Sequence, residues 1–330
     1  MRYEDKVYGE VEIKERVVLD LIESSSMQRL KGIDQHGYFK PFFSENSYNR
    51  FEHSMGVFIL LRKFESSLLE QISGLLHDVS HTAFSHVADY VFDSGFGEKQ
   101  NFQDDCFEEF IEKSEIPKIL KKYGIAYGDI LDDSEFLLKE RELPDLCADR
   151  IDYFFRELEA TNYISKEEIR DFLNNLIVVN NQWVLNDKKL AQRYAYLFLE
   201  LNNIFWAGPK IAVMLKTLGD LIKYSFEKKI INKDDLFTTD QEVLRKIEKI
   251  GDEDEKLKEL IDKANNRFHY KICDEDDYDL HVLCKSRVVD PLFLEKDSLK
   301  RVSEIDSRFA ELRELNSKPK EYYIKFLGKK

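Results

Sequence analysis

Residues 75–86 have the sequence LLHDVSHTAFSH, and this stretch decides how the whole chain is interpreted. If the segment is helical, His77 and His81 lie one turn apart on one face, and Asp78 is close enough to turn toward the same ion. Apolar neighbours make the burial of an unpartnered carboxylate costly here. Imidazole nitrogen beside carboxylate oxygen suits a transition metal such as Mn, Fe, Co, Ni or Zn. The spacing therefore predicts a metal site, and a hydrogen-bonded core histidine is the alternative.

Composition excludes several classes of protein. The chain has 330 residues, of which 43% are hydrophobic and 13% aromatic, enough for a buried core rather than a disordered chain. Its 50 Lys and Arg against 64 Asp and Glu give a net charge of −14. Because binding to a nucleic-acid backbone depends on cations, strong nucleic-acid binding is not expected. The 13 Gly and 6 Pro favour long helices with few tight turns.

Cysteine usage and the N-terminus predict a cytoplasmic protein. The four cysteines form no CxxC pair and no disulfide framework, so a reducing compartment is expected. Residues 1–10 alternate in charge and lack the apolar core of a signal peptide. Apolar stretches such as 57–61 are far shorter than the roughly 20 residues of a membrane span, so no membrane partner is predicted.

Helical periodicity dominates the first 265 residues, and short β-rich segments dominate the rest. Residues 37–50 and 94–105 are predicted loops. The predicted helices are 17–34, 51–64, 68–76 continued or closely followed by 77–92, 106–122, 130–139, 143–160, 190–228 with a break at Gly208-Pro209, 240–250 and 254–265. The predicted strands are an N-terminal hairpin within 6–19, a pair at 176–179 and 182–185 around an Asn-Asn turn, and a small sheet from 269–272, 279–285, 288–294 and 322–326.

Three motifs in order resemble those of the HD-domain phosphohydrolases. They are NRFEHSMGV at 49–57, LLHDVSHTAFSH at 75–86 and DRIDYF at 149–154. The resemblance is strongest to the deoxynucleoside triphosphate (dNTP) triphosphohydrolase branch, which includes the SAM- and HD-domain proteins. It begins near Tyr8-Gly9 and extends to about residue 160. Three ordered motifs make a specific signal, whereas an isolated His-Asp dipeptide would carry no information.

The resemblance implies a role for each matching side chain in hydrolysis at a metal site. The expected cofactor is one divalent ion (Mn, Mg, Fe, Co, Ni or Zn), which would polarise the phosphorus and activate a water. His86 is expected either to protonate the leaving oxygen or to contact the α-phosphate. The implied metal ligands are His53, His77, Asp78 and Asp149; the implied catalytic residues are His81 and His86, with Asp89 holding His86 protonated; and the implied substrate contacts are Arg50, Gln35, Arg150 and Tyr153.

Several of these positions have a structural alternative. Arg50 pairs with Glu52 or caps a helix if it does not bind phosphate, and Tyr153 is a core residue if it does not bind substrate. Asp152 is interpreted as a structural hydrogen-bond acceptor rather than a ligand. His36 stands where related enzymes often have an apolar residue, so it either shapes sugar selection or faces solvent.

Some residues depart from the family pattern and limit what it implies. Val79-Ser80 and Thr82-Ala83 replace Leu-Gly and Gly-Pro of many relatives, so the local turn is expected to differ. Glu157 replaces a shorter acid near the sugar site, which leaves recognition of the 3′-hydroxyl open. Lys31 replaces an arginine of the allosteric nucleotide site of the SAM- and HD-domain branch, so activation by nucleotides is not implied.

These observations predict a mostly α-helical fold with a small C-terminal α+β region. We expect an HD-domain helical bundle over residues 1–165, a helical extension over 166–265 and an α+β region over 266–330. The predicted function is hydrolysis of a dNTP to deoxynucleoside and triphosphate, with a nucleotide substrate and a homo-oligomeric assembly. The alternatives are a monophosphate phosphatase or phosphodiesterase using the same metal site, and a nucleotide sensor without catalysis.

Overall fold

The helix that carries His53 is held in place from two sides. In the computed structural model, which describes residues 1–92, 102–251, 253–296 and 298–330, α3 (Arg50–Lys63) is buried along most of its length. Asn49 and Glu52 form a capping box that ends the preceding loop and begins the helix. Its apolar side chains join both of the clusters that make up the core. A helix packed on both sides cannot rotate or slide, so its polar residues are held in fixed positions.

The elements around α3 build a mostly helical body. Helix α4 (Leu68–Leu76) packs closely on α3 because Gly74 has no side chain where Leu61 and Val57 approach. Helix α8 (Ala148–Ala160) packs on another face of α3. The remaining helices of the described residues are α1 (Arg16–Ile22), α2 (Ser25–Arg29), α5 (Val87–Phe92), α6 (Phe102–Lys113), α7 (Ile116–Lys122), α9 (Lys166–Asn175), α10 (Lys188–Leu201), α11 (Pro209–Glu227), α12 (Asp240–Glu248), α13 (Glu255–Ala264), α14 (Val302–Ile305) and α15 (Ser307–Asn316).

Three small sheets accompany the helices. An N-terminal hairpin pairs β1 (Arg2–Asp5) with β2 (Gly9–Glu12). The second sheet has the order β3-β4-β7-β8, in which the β3–β4 pair is antiparallel and β4–β7 is parallel. The third sheet has the order β5-β9-β6 and is antiparallel. The strands are β3 (Leu176–Val179), β4 (Gln182–Leu185), β5 (Phe268–Cys273), β6 (Leu280–Cys284), β7 (Leu292–Glu295), β8 (Ser298–Arg301) and β9 (Lys320–Lys329).

Much of the predicted architecture is confirmed. The chain is mostly helical with a small α+β region at its C-terminal end. Helix 68–76 and the hairpin 176–179 with 182–185 have the predicted bounds. Asn180 and Asn181 both have positive φ, at 52° and 56°, as a tight hairpin turn requires. The second sheet joins a hairpin of the predicted helical extension to strands of the C-terminal region, so these two segments share one sheet.

Other predictions are wrong or lie outside the described residues. The predicted helix 130–139 is replaced by short 3₁₀ turns at Tyr127–Ile130 and Asp133–Glu135. Strand β8 and helices α9, α14 and α15 were not predicted. The N-terminal hairpin begins earlier than predicted, at Arg2. Of the predicted loop 94–105, residues 94–101 lie outside the described part of the chain, and residues 102–105 begin α6.

The helix expected to continue through residues 77–92 stops at Leu76. Residues 77–86 form successive turns, and α5 begins only at Val87. Arg29 explains the interruption, because its guanidinium donates to the carbonyl oxygens of Val79 and His81, at 2.7 and 2.8 Å. These carbonyl oxygens therefore have hydrogen-bond donors even though the helix does not continue. Phe84 and Ser85 then adopt left-handed backbone conformations, with φ of 62° and 50°.

No helix in the described ranges combines the length and the apolar character needed to cross a membrane.

Candidate active site

Histidines and carboxylates from three helix ends meet at one point. Nε2 of His53, on α3, lies 2.9 Å from Oδ1 of Asp149, in the first turn of α8. Nε2 of His77, at the C-terminal end of α4, lies 3.2 Å from Nε2 of His53 and 3.6 Å from Oδ1 of Asp149. Asp78 adds a fourth group, with Oδ1 3.4 Å from Nε2 of His77. The four residues that the resemblance implies as ligands are thus brought together.

The second nitrogen of each imidazole is held by the protein. Nδ1 of His53 lies 2.7 Å from Oδ2 of Asp152, and Nδ1 of His77 lies 2.8 Å from the carbonyl oxygen of Gly74. A carbonyl only accepts, so His77 donates from Nδ1, and the same assignment suits His53 beside the Asp152 carboxylate. Both Nε2 lone pairs then point into the cluster, as in metal sites with oriented histidines.

This arrangement fits a divalent metal ion. Two Nε2 lone pairs only 3.2 Å apart repel each other unless a cation lies against both. Metal–nitrogen bonds of about 2.0–2.1 Å place neighbouring ligand nitrogens about 3 Å apart, close to the spacing found here. Carboxylate oxygens complete a mixed donor set that suits first-row transition metals. Asp152 acts as the structural acceptor that the sequence predicted, since Arg156 binds both of its oxygens.

Asp78 is kept ionised by its surroundings. Burial alone would raise the pKa of this carboxyl, but Arg50 and then the neighbouring histidines hold it far below its usual range. Oδ2 of Asp78 accepts from Nη1 of Arg50 at 2.8 Å. Arg50 also donates from Nε to Ser85 and from Nη2 to the carbonyl oxygen of Gln35. Arg50 therefore pairs with Asp78 rather than with Glu52, and three of its five N–H groups are already used.

His81 and His86 stand beside this cluster without belonging to one helical face. Nε2 of His81 lies 3.4 Å from Oδ1 of Asp78, and the turns at 77–86, rather than the predicted helical face, bring the two groups together. The rings of His81 and His86 meet edge to face with centroids 5.2 Å apart. Nδ1 of His86 lies 3.5 Å from Oδ2 of Asp89.

The prediction that Asp89 holds His86 in its protonated form is not met in the free protein. Burial lowers the pKa of His86, and the charges of Arg50 and Arg287 lower it further. The hydrogen bond to Asp89 raises it by less, so the pKa is lowered overall. Asp89 therefore orients the imidazole, and protonation requires additional negative charge in the site.

One cavity of about 610 Å³ joins these groups, a volume within the range of about 300–1,000 Å³ typical of small-molecule sites. Except for His53, which is fully buried, every residue of the predicted site lines this cavity. The predicted residues on its wall are Gln35, Arg50, His77, Asp78, His81, His86, Asp89, Asp149, Arg150 and Tyr153.

The wall beyond the His53, His77, Asp78 and Asp149 cluster presents hydrogen-bonding groups that have no partner among the described residues. Oε1 of Gln35 and the hydroxyl of Tyr153 are buried, and neither makes a hydrogen bond to the described residues. His36 does not face solvent, because its Nε2 lies 2.6 Å from Oε2 of the fully buried Glu157. Trp206 donates to the same carboxylate at 3.2 Å. Buried groups of this kind are normally satisfied, so this wall is suited to a polar ligand.

Arg150 is positioned by its own neighbours. It donates to Oε1 of Glu140 at 2.8 Å, to Sγ of Cys147 at 3.1 Å and to the carbonyl oxygen of Asp145 at 3.1 Å. Glu140, Cys147 and Asp149 also lie close enough to hold an ion, but the guanidinium already bonds the first two. Arg150 thus borders the cavity as a paired cation.

Several lining residues were not found by sequence reasoning. They come from segments outside the three motifs: Lys139, Glu140, Phe205, Trp206, Lys285 and Arg287. For Lys285 and Arg287, the sequence shows only an alternation of basic residues with small or apolar ones after β6. This alternation is common in exposed strands and does not identify a site. Only the tertiary structure brings them to this cavity.

Comparison with known proteins gives relatives but no matching family model. The chain is 35% identical over 333 residues to the uncharacterized protein YdhJ of Bacillus subtilis, covering 99% of both chains. It is 31% identical over 224 residues to the metal-dependent phosphohydrolase cns2 of Cordyceps militaris, covering 66% of this chain and 64% of the other. Mouse deoxynucleoside triphosphate triphosphohydrolase SAMHD1 is 29% identical over 144 residues, which is 38% of this chain and 22% of SAMHD1.

The fold also has a solved counterpart. A crystal structure of a phosphohydrolase from Bacteroides thetaiotaomicron matches with a TM-score of 0.73 over 100% of both chains, at 17% sequence identity. At that identity the match concerns the fold alone. This chain therefore spans nearly all of YdhJ, but less than two thirds of cns2 and about a fifth of SAMHD1.

Proposed function

Because the chain belongs to the HD-type phosphohydrolases related to the dNTP triphosphohydrolase branch, we propose that it hydrolyses dNTPs to deoxynucleoside and inorganic triphosphate. One observation carries the proposal: the cluster of His53, His77, Asp78 and Asp149 borders a cavity whose other wall offers aromatic rings and polar groups that have no partner in the described part of the chain. A phosphate fits the first part of such a cavity, and a sugar with its base fits the second.

The proposed reaction is balanced as a hydrolysis. Water attacks the α-phosphorus, the bond between that phosphorus and O5′ breaks, and O5′ takes a proton. A divalent ion held by His53, His77, Asp78 and Asp149 would polarise the phosphorus and lower the pKa of a water. The protein residues orient the substrate, supply hydrogen bonds and deliver the proton to O5′.

His86 is the proposed proton donor. Its Nδ1 faces Asp89, so Nε2 is free to face the cavity that it lines. The lowered pKa leaves His86 neutral in the free protein. The negative charge of a bound phosphate raises the pKa of a nearby imidazole, so substrate binding itself favours the protonated donor. His81, packed against His86, is proposed to hold a phosphate oxygen.

The nucleoside is proposed to bind at the wall beyond the cluster. Oε1 of Gln35 can accept a hydrogen bond from a sugar hydroxyl, and the Tyr153 hydroxyl can donate or accept one. The ring of Trp206 stands 4.9 Å from that of Tyr153 and gives this wall an apolar surface. The two N–H groups of Arg50 that have no partner among the described residues are proposed to contact phosphate. A cytoplasmic location and a homo-oligomeric assembly stay predictions.

A substrate panel tests the proposal. The purified full chain is incubated with dNTPs, ribonucleoside triphosphates, monophosphates and cyclic dinucleotides, with Mn, Mg, Fe, Co, Ni and Zn supplied in turn. Inorganic triphosphate and deoxynucleoside in equal amounts are expected from dNTPs. Release of orthophosphate alone would contradict the proposal in favour of a phosphatase, and absence of turnover in a metal-loaded protein would favour a nucleotide sensor.

Two variants control for contaminating hydrolases. Asp149→Asn removes a carboxylate of the cluster and is expected to abolish turnover. Asp145→Asn, one turn earlier, changes a carboxylate that pairs with Arg301 and Arg141 and is expected to remain active. Equal activity of both variants would show that the hydrolysis does not come from this site.

A further inference from the structure

The segment that follows β6 carries two basic residues to the cavity. Lys285 and Arg287 both line it, although they lie more than 130 residues after the last motif. Between them, Ser286 is buried and donates to the carbonyl oxygen of Asn316 at 2.6 Å. Alternate residues of an extended segment point to opposite sides, so the buried Ser286 leaves its two neighbours on the cavity side.

A buried amide fixes this segment in place. Asn202, which is fully buried, donates from Nδ2 to Oγ of Ser286 at 3.0 Å and accepts from the backbone N–H of Arg287 at 2.9 Å. Asn202 is the first residue of the π-helical turn Asn202–Trp206, which follows α10 and also supplies Trp206 to the cavity. The position of both cations is therefore set by the same turn that shapes the nucleoside wall.

Lys285 and Arg287 differ from the other cations of the cavity because, among the described residues, neither has a carboxylate within ion-pair distance; Asp104 and Asp89 face Lys285 only from farther away. Arg50 pairs with Asp78, Arg150 with Glu140, and Lys139 with Asp133. Within the described ranges, neither Lys285 nor Arg287 forms an ion pair. Burial lowers the pKa of Lys285 and the charge of Arg287 lowers it further, whereas the carboxylates of Asp104 and Asp89 raise it by less. The two cations therefore still repel each other in a partly buried place. An anion between them would remove this repulsion.

We infer that Lys285 and Arg287 form a binding site for the outer part of a polyphosphate chain, beyond the phosphorus that reacts beside the cluster of metal-ligand side chains. The site rests on the proposed function and narrows it, because a monophosphate has no outer phosphates to place there. Arg287 lines the same cavity as His86 and Tyr153, and its charge lowers the pKa of both, so it faces the proposed reaction centre. The C-terminal region thereby selects substrates by their number of phosphates.

Binding of inorganic phosphates tests this site without any turnover. Calorimetry on the metal-loaded full chain compares inorganic triphosphate with orthophosphate. Wild-type protein is expected to bind triphosphate at least about tenfold more tightly, since each charge-assisted contact contributes about a factor of ten. The double variant Lys285→Met, Arg287→Met is expected to lose about 10- to 100-fold in triphosphate affinity and less than about threefold in orthophosphate affinity.

A matched control removes two positive charges elsewhere in the same region. Lys271→Met, Lys318→Met changes two exposed lysines outside the cavity and is expected to leave both affinities unchanged. Metal content and melting temperature are measured for every variant. Arg287→Lys keeps the charge without the planar fork and provides a milder variant, with an intermediate loss expected if the double variant does not fold.

The inference and the proposed function can fail separately. Triphosphate affinity within about threefold of wild type in a folded, metal-loaded double variant would overturn the inference. Equal affinity of the wild-type protein for triphosphate and orthophosphate would overturn it as well. Tight, variant-sensitive triphosphate binding in a protein that turns over no dNTP would support this site and overturn the proposed function alone.

Discussion

Oδ2 of Asp152 lies 2.7 Å from Nδ1 of His53, on the side of the imidazole that faces away from Asp149. Asp152 is itself held by Arg156, which donates to both of its carboxylate oxygens and also to Asp5 in the N-terminal hairpin. The side chains of His53, Asp152, Arg156 and Asp5 are almost completely buried. The ring orientation of His53 is therefore set by a chain of charged groups that reaches from α3 through α8 to β1.

We expect Asp152→Asn to weaken divalent-metal binding by about 10- to 100-fold, because the amide no longer favours the His53 tautomer with a free Nε2 lone pair. Bound metal after dialysis, measured by mass spectrometry, checks this. Asp290→Asn is the matched control, since Asp290 is fully buried and bonded to Arg313 and Ser303 outside the cavity. Equal metal loss in both variants would contradict a specific role of Asp152.

Gly56→Ala is expected to damage the same arrangement through packing. A Cβ atom at Gly56 would collide with side-chain atoms of Asp152 and Arg156 on α8. Overpacking of this kind costs about 1–3 kcal/mol in free energy of unfolding, and it is expected to lower metal affinity as well. A Cβ atom at Gly128 would meet no atom within 4 Å. Gly128→Ala is therefore expected to change the free energy of unfolding by less than about 0.5 kcal/mol. Denaturant unfolding compares the two, and similar losses would refute the proposed contact.

His77→Gln is expected to lower bound divalent metal by about 100-fold or more and to reduce hydrolysis in proportion, because one nitrogen ligand is lost from the cluster. Treatment of the wild-type protein with a chelator is expected to abolish activity, and added metal is expected to restore it. His281→Gln is the control, since His281 pairs with Glu321 on the third sheet. Full activity of metal-free protein would rule out the proposed chemistry.

His36 is expected to make stability depend on pH. Burial lowers the pKa of His36, but the carboxylate of Glu157 raises it by more, so the folded-state pKa is above the ordinary value. The stabilisation is therefore fully present below the unfolded-state pKa of about 6.5 and is lost as pH rises through the folded-state pKa. His36→Gln is expected to cost about 2 kcal/mol near pH 6, because Glu157 loses a charged partner.

The measurement for His36 is the free energy of unfolding of wild type and variant across pH. The difference between them is expected to shrink as pH increases above about 6.5. A difference that grows with pH would contradict the assignment. His269→Gln, on the exposed strand β5, serves as a control for general effects of replacing a histidine.

Local signals were sufficient for two helices that frame the site and for the β3–β4 hairpin elsewhere in the fold. The capping box of Asn49 and Glu52 marks the start of α3, and Ser67 caps α4, whose bounds were predicted correctly. The Asn180-Asn181 turn identified β3 and β4, because asparagine tolerates the positive φ that a tight hairpin needs. Each of these features depends on residues within one or two turns of each other.

Predictions that depended on distant partners were less successful. The helix expected through residues 77–92 ends early, because Arg29 takes the carbonyls of Val79 and His81 from about 50 residues away. Asp89 was expected to keep His86 protonated, but burial and the charge of Arg50 outweigh it. Neither effect leaves a local trace in the sequence around the residue that it changes.

The sequence by itself determined which side chains are able to bind a metal ion, since imidazole and carboxylate groups in three ordered motifs are a property of the residues alone. Only the tertiary structure decided that the Nε2 atoms of His53 and His77 lie 3.2 Å apart with Asp149 beside them. It also decided that Lys285 and Arg287 reach the same cavity without ion-pair partners among the described residues. The physical reason is that distances and charges across the cavity depend on how separate helices and strands pack, and packing is a property of the whole chain.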